Sequence, residues 1–134
     1  MGRVQMALNV ADLDEAIGFY SKLFATEPAK VRPGYANFAI ADPPLKLVLM
    51  EGGEPGTLNH LGVEVASTED VGAASARVAG AGLATEEQQG TTCCFAVQDK
   101  VWVTGPDNAW EIYTVLADAP AEAAACDAAT GCCA

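Results

Sequence analysis

Two seven-residue runs, fifty-five positions apart, constrain this chain more than any other feature. Val4-Gln5-Met6-Ala7-Leu8-Asn9-Val10 and Asn59-His60-Leu61-Gly62-Val63-Glu64-Val65 carry apolar and polar residues in the same phase. Each alternates with the period of a strand, so one face packs and the other meets something polar. Gln5 stands where His60, the only histidine, stands. Two copies of one strand, each with a candidate metal ligand second, point to a duplicated module with its chemistry at the seam between the copies.

The segments downstream of each run support the duplication. After the first, Asp12 is an N-cap with Glu15 three residues on, and Ile17, Tyr20, Leu23 and Phe24 fall at helical spacing, which predicts a helix from about Leu13 to Phe24. Strands are expected at Pro28–Val31, Tyr35–Ile40 and Leu45–Met50, separated by Arg32-Pro33-Gly34 and Ala41-Asp42-Pro43-Pro44. Glu51 to Gly56 reads as a flexible linker. After the second run, Ser67 caps a helix to about Ala79 that buries Val71, Ala74 and Val78 and stops near Gly80 and Gly82. Strand-like segments come next at Ala84–Glu87, Phe95–Val97, Val101–Thr104 and Trp110–Val115, with Gly105-Pro106-Asp107-Asn108 as the last turn.

The fold class is therefore α+β: two βαβββ modules, about residues 2–51 and 58–116, pairing into one open barrel. Residues 1–116 form one domain, since 134 residues, 51% of them apolar, suffice for one good core and not for two full-sized domains. The short linker permits a monomer or a homodimer that exchanges modules. Residues 117–134 form an Ala/Cys-rich tail, expected as a frayed helix or disorder because a helix of roughly ten residues is marginal in water.

A formal net charge of −11 argues against nucleic acid and anionic membranes as partners. No signal-peptide pattern opens the chain and no run reads as a spanning helix, so a cytoplasmic location is expected. In that compartment the odd set Cys93, Cys94, Cys126, Cys132 and Cys133 reads as reduced thiols rather than a disulfide framework.

Alternation places Leu61, Val63 and Val65 toward the covering helix and His60 on the opposite, concave side, with Gln5 equivalent in the first module. Glu111 joins them if its face of the last strand is the concave one. The first module offers mainly Leu, Val and Met in the corresponding strand, so the site would have three protein ligands and open positions, a catalytic pattern. Singly, each residue also has an ordinary reading: a structural histidine, a solvated glutamine and a solvated glutamate. Matched register is what unites them.

Gly90-Thr91-Thr92-Cys93-Cys94-Phe95 carries adjacent cysteines. Neighbouring Cα atoms lie about 3.8 Å apart, closer than the ~4.4 Å lower limit usual for a disulfide, so the pair makes a poor bridge. Either both thiols chelate one thiophilic centre, which needs a bend or a mobile loop at Gly90, or one is buried and the other exposed. Cys126, Cys132 and Cys133 would be accessory thiols of the tail.

These features resemble the vicinal oxygen chelate superfamily of glyoxalases, bleomycin-resistance proteins and extradiol dioxygenases. Arg3-Val4-Gln5, Pro33 to Ile40, Pro44 to Leu49, His60 to Val65, Thr92 to Ala96 and Gln98 to Pro106 resemble more closely its ArsI-type carbon-arsenic lyase and cadmium-induced branch, over residues 2–116. The resemblance implies Fe(II)- and O2-dependent cleavage of the carbon-arsenic bond in trivalent organoarsenicals, such as methylarsonite or aromatic arsenicals, releasing arsenite. It implies Fe(II) on Gln5, His60 and Glu111 and arsenic on Cys93 and Cys94, with Lys100 and Tyr113 around them; an exposed lysine and a packing tyrosine are the alternatives. Soft thiolates suit the metalloid, and imidazole, carboxylate and amide oxygen suit the harder ion. The alternative function is non-catalytic sequestration of cadmium or arsenite. A generic glyoxalase-like enzyme gives no use for adjacent thiols.

Overall fold

The computed structural model describes residues 2–93 and 95–119. Cys94, Cys126, Cys132, Cys133 and the expected tail helix lie outside the described residues. The chain divides into two compact units, Arg3–Asn59 and Gly2 with His60 onward.

In the first unit the order is β1 (Arg3–Val10), α1 (Leu13–Leu23), β2 (Lys30–Arg32), β3 (Tyr35–Ile40) and β4 (Leu45–Glu51). Its strands lie in the order β2-β3-β4-β1, with β1 parallel to β4 and the other pairs antiparallel. Asp12 caps α1 by accepting from the Glu15 backbone N–H at 3.0 Å. Glu51, expected in the linker, ends β4, and its Oε2 accepts from the Leu13 N–H at 2.8 Å, occupying another of the donors a helix start leaves open. Ile17, Tyr20 and Phe24 pack on Ala36, Phe38, Ile40, Leu47 and Leu49. Leu23 is exposed, contrary to expectation, because the stripe through Leu13, Ile17, Tyr20 and Phe24 already faces the sheet and Leu23 lies beside it. In β1 the polar phase is the more buried: Gln5, Ala7 and Asn9 are all shielded, while Met6, Leu8 and Val10 are half-buried against the core.

The second unit repeats the pattern with β5 (Leu58–Glu64), α2 (Thr68–Gly80), β6 (Thr85–Cys93), β7 (Ala96–Thr104) and β8 (Ala109–Asp118). The order β5-β8-β7-β6, with β5 parallel to β8, is the order of the first unit under the duplication. Ser67 caps α2 by accepting from Asp70 N–H, and Val71, Ala74 and Val78 pack on Val63, Val65, Val101, Val103 and Ile112. Two expected strands, at Phe95–Val97 and Val101–Thr104, are one: Gln98, Asp99 and Lys100 continue β7 and are buried within it. Three consecutive polar residues look like a break in sequence, but each is accommodated by the pleat. The first expected strand, Ala84–Glu87, is the start of β6, which runs on to Cys93. Its Glu-Glu-Gln-Gln run suits a sheet edge, where exposed polar side chains discourage further pairing. The pairing with β7 shifts between Gln88 and Thr91, where Gly90 takes φ +59°, a value glycine adopts without penalty. In the last turn a Cβ on Gly105 would lie 2.6 Å from the Asn108 carbonyl oxygen, so only glycine fits.

Candidate metal centre

Alternation along β7 and β8 decides which face each side chain takes. Val101, Val103 and Ile112 face α2, which turns Lys100, Trp102, Glu111 and Tyr113 to the other side of the sheet. The parallel pairing of β5 with β8 sets Gly62 opposite Glu111, so His60 lies one alternate position away on the neighbouring strand. The result is a close pair: His60 Nε2 and Glu111 Oε2 are 3.1 Å apart, with the two residues only 2% and 3% exposed. The condition set on Glu111 is met within this unit.

A nitrogen and an oxygen each roughly 2.1 Å from one ion and at right angles to it are about 3 Å apart, so the observed spacing fits adjacent ligands of one divalent metal. Among the described residues there is no cluster of three or more His, Cys, Asp or Glu side chains able to hold an ion. A third protein donor among the described residues would therefore be of another type. Gln5 is buried on β1 of the other unit at the position matching His60, each being the third residue of its strand. In the same register Val48 occupies the place of Glu111, so the first unit supplies no carboxylate there.

Lys100 is not the exposed lysine of the alternative reading. It is 2% exposed, with Nζ 3.5 Å from Glu111 Oε1 and 5.3 Å from the centre of the Trp102 ring. Burial lowers its pKa from the usual lysine value, and the nearby Glu111 carboxylate partly opposes that shift. Glu111 thus presents one oxygen to His60 and the other to Lys100. Tyr113 is fully buried opposite Lys100 in the strand register. Trp102 was not anticipated as a site residue. Its ring meets His60 edge to face at 5.4 Å between centroids, and its alternation with Lys100 and pairing with Glu111 were the signals that could have identified it.

Cys93 ends β6, is buried, and is disulfide-bonded. This corrects the expectation of a reduced thiol at that position. A disulfide sulfur offers no thiolate, so any soft-ligand role for Cys93 requires reduction first. Its segment is anchored from β7. Gln98 Nε2 donates to the Cys93 carbonyl at 3.1 Å, and Asp99 accepts from Gly90 N–H at 2.7 Å and from Thr68 Oγ1 at 2.6 Å. Asp99 therefore ties the β6 bulge to the start of α2.

These two hydrogen bonds hold the Asp99 carboxyl below its ordinary pKa, with burial acting weakly in the opposite sense. Because its folded-state pKa is depressed, its contribution to stability is fully present above the unfolded value of about 3.9 and is lost as pH falls through the folded value. Asp99→Ala is expected to lower stability at pH 7 by about 1–2 kcal/mol in urea unfolding, with the difference from wild type shrinking below about pH 4. An undiminished difference at pH 3 would show that the charge is not the source.

A repeated βαβββ unit, one copy of which buries a histidine and a carboxylate 3.1 Å apart on one sheet face, is an architecture of the glyoxalase type. The chain belongs to the Glyoxalase/Bleomycin resistance protein/Dioxygenase superfamily, which it matches over residues 2–112. It is 70% identical over 120 residues to the cadmium-induced protein CadI of Mycobacterium tuberculosis, covering 88% of this chain and 79% of that one. It is 63% identical over 136 residues to a trivalent organoarsenical cleaving enzyme of Thermomonospora curvata, covering 99% of this chain and 89% of that one. Among solved structures, the Mn(II)-bound glyoxalase of Novosphingobium aromaticivorans superposes with a TM-score of 0.63 at 20% identity, covering 89% of this chain and 42% of that chain, a likeness of fold. Among the described residues no helix is long and apolar enough to cross a membrane.

Proposed function

We propose that the protein cleaves the carbon-arsenic bond of trivalent organoarsenicals in an Fe(II)- and O2-dependent reaction that releases arsenite. The observation that carries this is the buried His60–Glu111 pair at 3.1 Å in a chain 63% identical, over nearly its whole length, to an organoarsenical cleaving enzyme. In this reading His60, Glu111 and the register-equivalent Gln5 hold the metal, and reduced Cys93 with Cys94 takes the arsenic. Bound there, ferrous iron would supply reducing power and open positions for dioxygen chemistry. The chain's own residues do the rest. Lys100 holds one Glu111 oxygen so that the other stays directed at the metal, and the Trp102 ring packs against the His60 ring and restricts its rotation. Gln98 and Asp99 fix the strand that presents Cys93.

The 70% identity to a cadmium-induced protein favours a second reading, sequestration of a soft metal by thiols without turnover. Oxygen separates the two. Protein reduced with a phosphine and loaded with Fe(II) is expected to release arsenite from methylarsonite under air and none under nitrogen. Stoichiometric retention of the arsenical under both atmospheres would establish the binder instead.

A further inference from the structure

The two carboxylate oxygens of Glu111 meet different partners. Oε2 lies 3.1 Å from His60 Nε2, and Oε1 lies 3.5 Å from Lys100 Nζ. Lys100 is 2% exposed, so bulk water cannot replace the carboxylate as its partner. The Trp102 ring, 5.3 Å from Nζ, holds the amine from a second side, and the same ring meets His60 edge to face. The lysine thus engages the one carboxylate oxygen that is not directed at the histidine.

The duplication supplies an independent observation. In the second unit Lys100 pairs with Tyr113, two residues after Glu111; in the first, Tyr35 pairs with Met50, two residues after Val48. Tyr35 therefore stands where Lys100 stands, and Val48 where Glu111 stands. The module without the carboxylate is also without the lysine, which fits a role of the one upon the other.

A carboxylate binds a divalent ion through one oxygen or chelates it through both. Chelation by Glu111 would draw Oε1 away from Lys100 and strand a buried amine, a cost that falls on the chelated form alone. The narrow bite of a chelating carboxylate suits large ions that take many oxygen donors. Smaller ions with stricter geometry lose less when it is denied. A lysine fixed on one oxygen therefore weighs unequally on different ions.

We infer that Lys100 is a positioning residue that keeps Glu111 a one-oxygen ligand and thereby helps determine which divalent ion the site accepts. This rests on the reading of His60 and Glu111 as metal ligands. The test is the affinity of metal-free protein for Mn(II), the larger ion, and Co(II), the smaller, by equilibrium dialysis under nitrogen. Binding that survives in Glu111→Leu is subtracted as belonging elsewhere. Lys100→Met is expected to raise the ratio of Mn(II) to Co(II) affinity about fivefold over wild type, the equivalent of one ordinary hydrogen bond. Lys100→Arg keeps a donor for Oε1 and can stack on Trp102, so it is expected to hold the wild-type ratio. Circular dichroism checks that both variants are folded. A measurement on the wild-type protein needs no variant: the infrared difference spectrum on Mn(II) binding is expected to show the wide separation of carboxylate stretches that marks one-oxygen ligation. A narrow separation there would overturn the inference. So would a rise of both affinities by the same factor in Lys100→Met, which would assign the lysine a role by charge alone and leave the metal centre intact. Binding of neither ion by wild type beyond that of Glu111→Leu would overturn the metal centre and this inference together.

Discussion

Replacing His60 with alanine is expected to weaken Fe(II) binding by roughly two orders of magnitude or more and to abolish arsenite release. His60 and Glu111 are the two metal-type ligands the structure brings together, and their 3.1 Å separation suits neighbouring positions on one ion. Loss of the histidine removes one proposed ligand and the ring that Trp102 packs against. The truncation leaves the Lys100–Glu111 contact in place, so metal-free stability should fall by no more than about 1–3 kcal/mol, the cost of a small cavity. Equilibrium dialysis with Fe(II) under nitrogen and urea unfolding of the metal-free protein check the two halves. Unchanged iron affinity in the variant would remove His60 from the site and with it the proposed mechanism.

Glu111→Leu is expected to behave differently, with loss of the metal accompanied by destabilisation of about 3 kcal/mol or more in the metal-free protein. Glu111 is the carboxylate facing Lys100, whose Nζ is buried with no other ion pair among the described residues. Removing the acid strands the ammonium in a site with little water, and part of the cost is relieved as the lysine gives up its proton. The double variant Lys100→Met, Glu111→Leu should regain most of the lost stability, because an apolar pair of similar volume needs no compensating charge. Metal binding should not return with it. Urea unfolding of both variants measures this; a single variant as stable as wild type would show that Lys100 does not depend on Glu111. Together the two substitutions separate a candidate ligand whose proposed role is chiefly toward the metal from one that also pairs with Lys100.

The duplication was legible because it is written in periodicity. Val4 to Val10 and Asn59 to Val65 carry the same two-residue alternation, and each is followed by a capped amphipathic helix, at Asp12 and at Ser67. Such signals are local, and the two βαβββ units obey them closely. Segments whose polar residues are satisfied by distant partners were harder to read. Gln98-Asp99-Lys100 resembled a break between strands, yet Asp99 is accommodated by Thr68 and Gly90, Gln98 by the Cys93 carbonyl, and Lys100 by Glu111. Glu51 looked like linker and is a cap for α1.

The sequence by itself determined the module pattern, the placement of His60 on the face away from its helix, and the candidacy of Gln5 and Glu111, since all of these derive from alternation within single strands. Only the tertiary structure decided that Glu111 shares that face with His60, because the face of the last strand depends on its register beside β5, which sets Gly62 against Glu111. The tertiary structure likewise turned Lys100 and Trp102 inward and left Cys93 disulfide-bonded. Pairing partners and burial are properties of segments brought together over long sequence separations, and no periodicity within seven residues can encode them.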